Sequence, residues 1–413
     1  MNKNKGNVLA IGIMFFLFAM ISFVTGLQNP MGIIAKAQFG ATNLMSQLGN
    51  AANFIAYAFM GLPAGFLLKG KGYKFTALAA IAVGFVGVGI SYLSGVFSSF
   101  AIYLLGAFVS GFSMCMLNTV VNPMLNTLGG GGNKGNQLIQ LGGSCNSLAA
   151  TIVPVLAGYL IGEVSANTQV ADVNPALFIA MGIFALAFVI ILCSTIPEPE
   201  LEAAAAEKKE STIESVKGAI SHRNLVFGII AIFLYVGIEV GIPNVANLYM
   251  TSEDGLEIAA GIAGTLVGAY WFLMLCGRLI GGAIGGKVSS RTMMIAVSSA
   301  AIVFLLLAMY LPTGLKVAFL GTDIPVSLFF FVVCGLCTSI MWGAIFNLAV
   351  EGLGKYTSIA SGLFMVMVCG GGLVPLLQGY IADKAGYINS YWVLIAALAY
   401  LLWFALSGSK TTK

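Results

Sequence analysis

One carboxylate, Glu239, stands in the middle of an apolar stretch long enough to cross a membrane, within Tyr235-Val-Gly-Ile-Glu-Val-Gly-Ile-Pro-Asn-Val-Ala-Asn247. A charged residue at a helix centre in a bilayer costs roughly 2.5 to 3.5 kcal/mol, so it normally faces a bundle interior or a wet cavity. Pro243 has no N–H to give the carbonyl of Glu239, and Gly237 and Gly241 flank the acid. A loosened helix beside the acid is therefore expected, and such backbone is tolerated in lipid only where protein or water satisfies it. Broken helices of this kind build substrate sites in transporters. The plainer role for Glu239 is a hydrogen bond that locks two helices together.

Amides supply the other polar groups. Asn118-Thr-Val-Val-Asn122-Pro123 places two of them four residues apart, on one helix face. Further on come Gln137, Gln140, Ser144 and Asn146, with Gln28, Asn29, Asn50, Asn53, Asn244 and Asn247 elsewhere. An amide both donates and accepts, which suits the hydroxyls of a sugar. Any one of them alone reads as helix–helix hydrogen bonding; together they are too many for that role. Tyr270, Trp271 and Trp342 offer aromatic faces for the apolar side of a pyranose ring, or else core packing. The expected substrate contacts are Gln28, Asn29, Asn118, Asn122, Gln140, Asn146, Glu239, Asn244, Tyr270 and Trp342, with Glu239 also the coupling group. Arg278 reads as the anchor of a gate or loop. Glu351, beside Lys355, reads as a solvated end-of-helix acid. No nucleophile–base pair or metal-ligand cluster is visible, the seven cysteines read as small packing residues, and no glycine run follows a strand to cradle phosphate.

The elements that must position these groups follow from composition. The chain has 413 residues, 59% of them hydrophobic and 8% charged, with 52 glycines and a mean hydropathy of +0.97. That excludes an ordinary soluble domain. Apolar runs fall near 8–36, 43–68, 74–94, 98–128, 136–162, 175–195, 223–250, 258–286, 290–311, 324–350, 355–382 and 388–407, predicting an all-α polytopic membrane protein with twelve transmembrane helices. The first run is too long for a signal-peptide core and is read as a retained helix. The longest polar stretch, 196–222, predicts a mobile cytoplasmic linker between two six-helix bundles, 1–195 and 223–413. Lys69, Lys71, Lys74, Lys134, Lys287, Arg291 and Lys355 fall on the side shared by both termini, and only Lys36, Lys316 and Lys384 fall opposite. Both termini are thus expected in the cytoplasm.

The halves repeat each other. Val153-Pro-Val-Leu-Ala-Gly-Tyr159 returns as Val374-Pro-Leu-Leu-Gln-Gly-Tyr380, Gly61-x-x-x-Gly65 as Gly277-x-x-x-Gly281, and Gly26-Leu-Gln-Asn29 as Gly241-Ile-Pro-Asn244. Two pseudo-symmetric six-helix bundles are the pattern of the major facilitator fold, with substrate held near mid-membrane.

Pro63-Ala-Gly65 with Gly72-Tyr-Lys74, the Asn-Pro at 122–123, Tyr235-Val-Gly-x-Glu239, Tyr270-Trp271 with Gly277-Arg278, and Gly352-Leu-Gly with Pro375-Leu-Leu-Gln-Gly-Tyr-Ile-Ala-Asp383 resemble the fucose–galactose–glucose:proton symporter family of the major facilitator superfamily. The resemblance implies uptake of a neutral hexose or deoxyhexose by alternating access. The fucose branch carries acids at places that are Gly26 and Asn118 here. Gln140 stands where the family usually has Asn, Gly143 where it has Gln, and Asn146 matches.

The resulting expectation is a secondary active sugar transporter, coupled to protons or sodium, with no cofactor beyond that ion. It is expected to be a monomer in the cytoplasmic (inner) membrane, with the sugar and the lipid bilayer as partners, and neither an enzyme nor a nucleic-acid binder. The alternatives are an exporter of a small metabolite or drug, and a membrane sensor without turnover. The acid-poor cavity argues against cationic drugs, and the repeated halves argue against a sensor.

Overall fold

The computed structural model describes residues 3–26, 43–161, 170–198, 201, 212–252 and 255–411; Gln28 and Asn29 lie outside the described residues. The elements are α1 (Lys3–Gly26), α2 (Asn43–Val96), α3 (Phe100–Leu128), α4 (Gly132–Ile161), α5 (Asn174–Cys193), α6 (Thr212–Ile220), α7 (Arg223–Thr251), α8 (Ala260–Ile284), α9 (Ser290–Tyr310), a hairpin of β1 (Lys316–Phe319) and β2 (Thr322–Pro325), then α10 (Ser327–Thr338), α11 (Met341–Val350), α12 (Thr357–Met367), α13 (Gly370–Ala385) and α14 (Tyr387–Trp403). Helix prevails because each apolar segment must satisfy its own backbone in hydrocarbon. The antiparallel hairpin turns at Leu320 and Gly321, both at positive φ.

Among the described residues, ten helical stretches are long and apolar enough to cross a membrane. One of them, Ala51–Val96, has 46 residues, far more than the roughly 20 that a single pass needs. Two helices meet within it at Gly72, where φ is +81°. Counting its two arms separately and adding the more polar α4 gives the twelve passes expected.

Three local features differ from the expectation. α7 runs unbroken through Pro243, so the missing N–H does not interrupt the helix. The interruptions fall instead in the tenth pass, between α10 and α11 at Ser339–Ile340, and in the eleventh, between α12 and α13. The 196–222 stretch contains α6, which is docked: the Lys69 ammonium donates to the Ser215 hydroxyl, and the Tyr356 ring lies against Gly218.

The chain forms two compact units. The first comprises Met1–Leu128, Cys145–Ser221 and Leu353–Cys369; the second comprises Gly129–Ser144, His222–Gly352 and Gly370–Lys413. Each sequence half thus lends one segment of a broken or divided helix to the other unit. In the first unit the repeated glycines bring backbones together: a Cβ on Gly65 would lie 3.0 Å from Gly362 Cα in α12. In the second, Gly277 lies against Leu336 and Ser339, while Gly282 and Gly286 lie against Leu141 and Gln137 of the α4 segment. Small residues admit such close approach.

The turn at Gly72 is held from a distance in sequence. Tyr73 N and Lys74 N, the first donors of the second arm of α2, donate to the Glu198 carboxylate at 2.6 and 2.8 Å, an N-cap supplied in trans. Lys74 Nζ donates to Leu192 O and Ser194 O at 2.9 and 2.8 Å, closing the end of α5. Burial pushes the Glu198 carboxyl up, against the pull of the two N–H groups and of Lys74. A raised folded-state pKa means that this group's contribution to stability is present at low pH and lost as pH rises through the folded value. Glu198→Gln should therefore gain stability relative to the parent as pH rises from acid to neutral. Thermal unfolding of both across that range checks it, and parallel curves would reject it.

Candidate functional site

The second unit gathers Glu239, Arg278, Tyr235, Tyr270, Thr338 and Trp342. Glu239 Oε1 lies 3.5 Å from Arg278 Nη2, with side-chain exposures of 16% and 11%. The two charges therefore meet in a mostly buried place, where losing one partner is costly. Pro243 does leave the Glu239 carbonyl without its helical donor, and the Tyr270 hydroxyl takes that place at 3.1 Å. The same hydroxyl lies 3.0 Å from Thr338 Oγ1. One turn before the acid, the Tyr235 hydroxyl stands close to the carboxylate but outside ordinary hydrogen-bond geometry.

Aromatic rings close this cluster. Tyr235 and Trp342 meet edge-on with centroids 6.2 Å apart, and Tyr270 and Trp271 meet at 5.2 Å and 89°. Tyr270 is 1% exposed, which makes its ring a structural wall, while Trp342 stays half-buried. Asn244 is exposed on α7. Five residues on from Glu239, it points about 140° around the helix from the acid, so the cluster does not include it.

Gln140 belongs to this unit as well. Its Nε2 donates to Ile340 O at 2.7 Å and approaches Asn136 Oδ1 at 3.4 Å. At the break between α10 and α11 the Ile340 carbonyl still accepts from Ala344 N at 3.2 Å, so Gln140 is its second donor. Arg278 Nε reaches the neighbouring Ser339 carbonyl at 3.4 Å.

The first unit holds the remaining amides. Asn118 Nδ2 donates to the Tyr57 hydroxyl and to Met114 O, both at 3.1 Å. Asn122 Nδ2 donates to Asn118 O at 2.9 Å and lies 3.5 Å from Asn118 Oδ1. The four-residue spacing does put both on one face, and Asn118 meets α2 through Tyr57. Both are buried, Asn122 completely. Asn146 Nδ2 donates to Phe18 O at 3.0 Å, tying α4 to α1.

Two participants were not expected from sequence. Arg278, read as a gate anchor, is the counter-ion of Glu239; it is the sole basic residue of α8, and a buried acid calling for a buried base was the available signal. Gln378 of α13 is fully buried with neither amide atom paired among the described residues, its Oε1 directed at Gly241. No three His, Cys, Asp or Glu side chains converge on a metal position among the described residues.

Residues 11–374 match the family model described as the Major Facilitator Superfamily. The chain is 28% identical to the "Glucose/galactose transporter" of Brucella abortus biovar 1 (strain 9-941) over 99% of its own length and 96% of that protein. It is 23% identical to the "L-fucose-proton symporter" of Escherichia coli (strain K12), over 99% and 96% of the two chains. The crystal structure of a major facilitator transporter, FucP, in the outward conformation superposes with a TM-score of 0.80 at 20% identity, covering 96% of this chain and 99% of that one.

Proposed function

The chain belongs to the major facilitator superfamily, and from that premise we propose that it takes up a neutral monosaccharide, a hexose or deoxyhexose, by alternating access driven by an ion gradient. The observation that carries this reading is the whole-length similarity to the Brucella glucose/galactose transporter. The two polar clusters support it. Asn118 and Asn122 in one unit and Gln140 in the other are hydrogen-bonding amides with no net charge, which suits hydroxyl groups. Trp342, half-buried, supplies an aromatic face. Glu239 is the coupling group, to a proton or to sodium. The protein works as a monomer of the inner membrane with both termini in the cytoplasm.

Uptake of labelled glucose, galactose and fucose into vesicles, with an imposed pH or sodium gradient, tests the reading. Accumulation of at least one neutral hexose is expected. Failure of every neutral sugar, with accumulation of a charged metabolite or drug instead, overturns it. Within the site, Asn118→Ala and Asn122→Ala should each weaken sugar binding several-fold, since a hydrogen bond to a buried hydroxyl contributes about 0.5 to 1.5 kcal/mol. Leu105→Ala, at an exposed apolar position of α3, is the control. Equal affinities in all three variants would remove these amides from the binding site.

A further inference from the structure

Tyr57 of α2 and Asn118 of α3 face each other inside the first unit, 4% and 8% exposed. Their helices meet closely at this level: a Cβ on Gly111 would stand 2.6 Å from Ala56 Cβ, and the Cys115 thiol lies 4.0 Å from Tyr57 O. The Asn118 side chain reaches back to Met114 O at 3.1 Å. That carbonyl can only accept, so the amide atom turned towards it is the nitrogen. The same nitrogen lies 3.1 Å from the Tyr57 hydroxyl, which takes the second of its two hydrogens. Both donors of Asn118 are thereby spent inside the protein. Among the described residues its Oδ1 meets one donor, Asn122 Nδ2 at 3.5 Å, the far limit of a hydrogen bond, and that nitrogen already donates to Asn118 O at 2.9 Å. An amide oxygen accepts twice. What Asn118 has left to offer is therefore acceptor capacity alone.

We propose that Tyr57 is a positioning residue that, together with Met114 O, holds the Asn118 amide with its oxygen towards the substrate, so that position 118 recognises a sugar hydroxyl only as a hydrogen-bond donor. An unheld amide tolerates either polarity, because it can turn its nitrogen or its oxygen to the ligand. Here the turn is blocked: it would set Asn118 Oδ1 against Met114 O, two acceptors with no hydrogen between them. A free hydroxyl at the right carbon satisfies the oxygen. A carbon-bound fluorine or an ether oxygen, which cannot donate, fails there as a bare methylene does, and each leaves a buried oxygen short of a donor. The selected class is thus a monosaccharide with an unsubstituted hydroxyl at one particular ring position. Tyr57 acts through Asn118 and not on the sugar. The proposal rests on the reading of Asn118 as a sugar contact.

Displacement of labelled glucose, galactose or fucose, whichever the protein accumulates, by its monodeoxy and monodeoxyfluoro analogues tests the proposal on the purified full-length protein, one hydroxyl at a time. At one position the two analogues should lose affinity equally, about threefold to tenfold against the parent sugar. Asn118→Ala should abolish that loss and leave the analogue ratios at every other position unchanged. Tyr57→Phe keeps the ring but releases the second amide hydrogen, so the shared loss at that position should shrink and the fluoro analogue should gain on the deoxy one. A tyrosine that only packs would leave these ratios as they were. A loss that Asn118→Ala abolishes and Tyr57→Phe does not change overturns the positioning role. A fluoro analogue that binds like the parent sugar at the Asn118-dependent position overturns the donor-only recognition while the sugar contact itself stands. Ratios that Asn118→Ala changes at no position, or binding of none of the three sugars, overturn the contact and the proposal together.

Discussion

Glu239→Gln alone should unfold at a markedly lower temperature than the double variant Glu239→Gln/Arg278→Gln. The single change leaves the Arg278 guanidinium, 11% exposed at its side chain, without the carboxylate that faces it at 3.5 Å. Breaking one side of a buried pair typically costs about 3 to 5 kcal/mol, whereas replacing both sides with neutral groups is often neutral or stabilising. The 3.5 Å separation does not soften that asymmetry, because the cost comes from the stranded charge and not from the strength of the bond. The consequence reaches beyond stability. Loss of accumulation in Glu239→Gln is ambiguous between a lost coupling group and a distorted unit, so the double variant is the informative one for transport. Thermal unfolding of both in the same detergent decides the point, and coincident midpoints would show that Arg278 finds another partner or that the pair is solvated.

What the sequence made legible was whatever depends on one helix at a time. The isolation of Glu239 and the carbonyl freed by Pro243 follow from residues on α7 alone, and the common face of Asn118 and Asn122 follows from their spacing on α3. The group that answers each of these comes from another helix. Tyr270 takes the freed carbonyl, Tyr57 receives the Asn118 amide, and Arg278 pairs with Glu239. Those partnerships depend on how helices are tilted and offset, which no periodicity encodes.

The two helix breaks show the same limit from the other side. Gly370-Gly-Gly372 stands at the one in the eleventh pass, and helix-breaking residues there can be seen in the sequence. Ser339–Ile340 contains neither glycine nor proline, so the break in the tenth pass has no local signal. Gln140 and Arg278 donate to its carbonyls from other helices. Asn244 stands apart from the cluster for a third reason: the repeat with Gly26-Leu-Gln-Asn29 suggested a shared role, and its exposed position on α7 lies around the helix from the acid.

The repeated glycines lead to a second large effect, and the structure separates those that matter from those that do not. Gly362→Ala should destabilise the protein while Gly268→Ala should not. A Cβ on Gly362 would stand 2.7 Å from Gly61 O, 2.9 Å from Gly65 Cα and 3.2 Å from Gly65 N. All three are backbone atoms of α2, which cannot rotate away as a side chain tip can, so α12 must shift or the contact must open. Overpacking of this kind costs about 1 to 3 kcal/mol, and leucine at the same position should prevent recovery of folded protein. Gly268, inside α8, has no atom within 4 Å of its added Cβ; there alanine removes only the helix penalty of glycine, a gain of up to about 1 kcal/mol. Both substitutions add one methyl group to a glycine inside a membrane helix, so hydrophobicity is matched and the contact alone differs. Unfolding temperatures measured side by side should move in opposite directions, and equal shifts would mean that α2 and α12 do not meet at Gly61, Gly65 and Gly362.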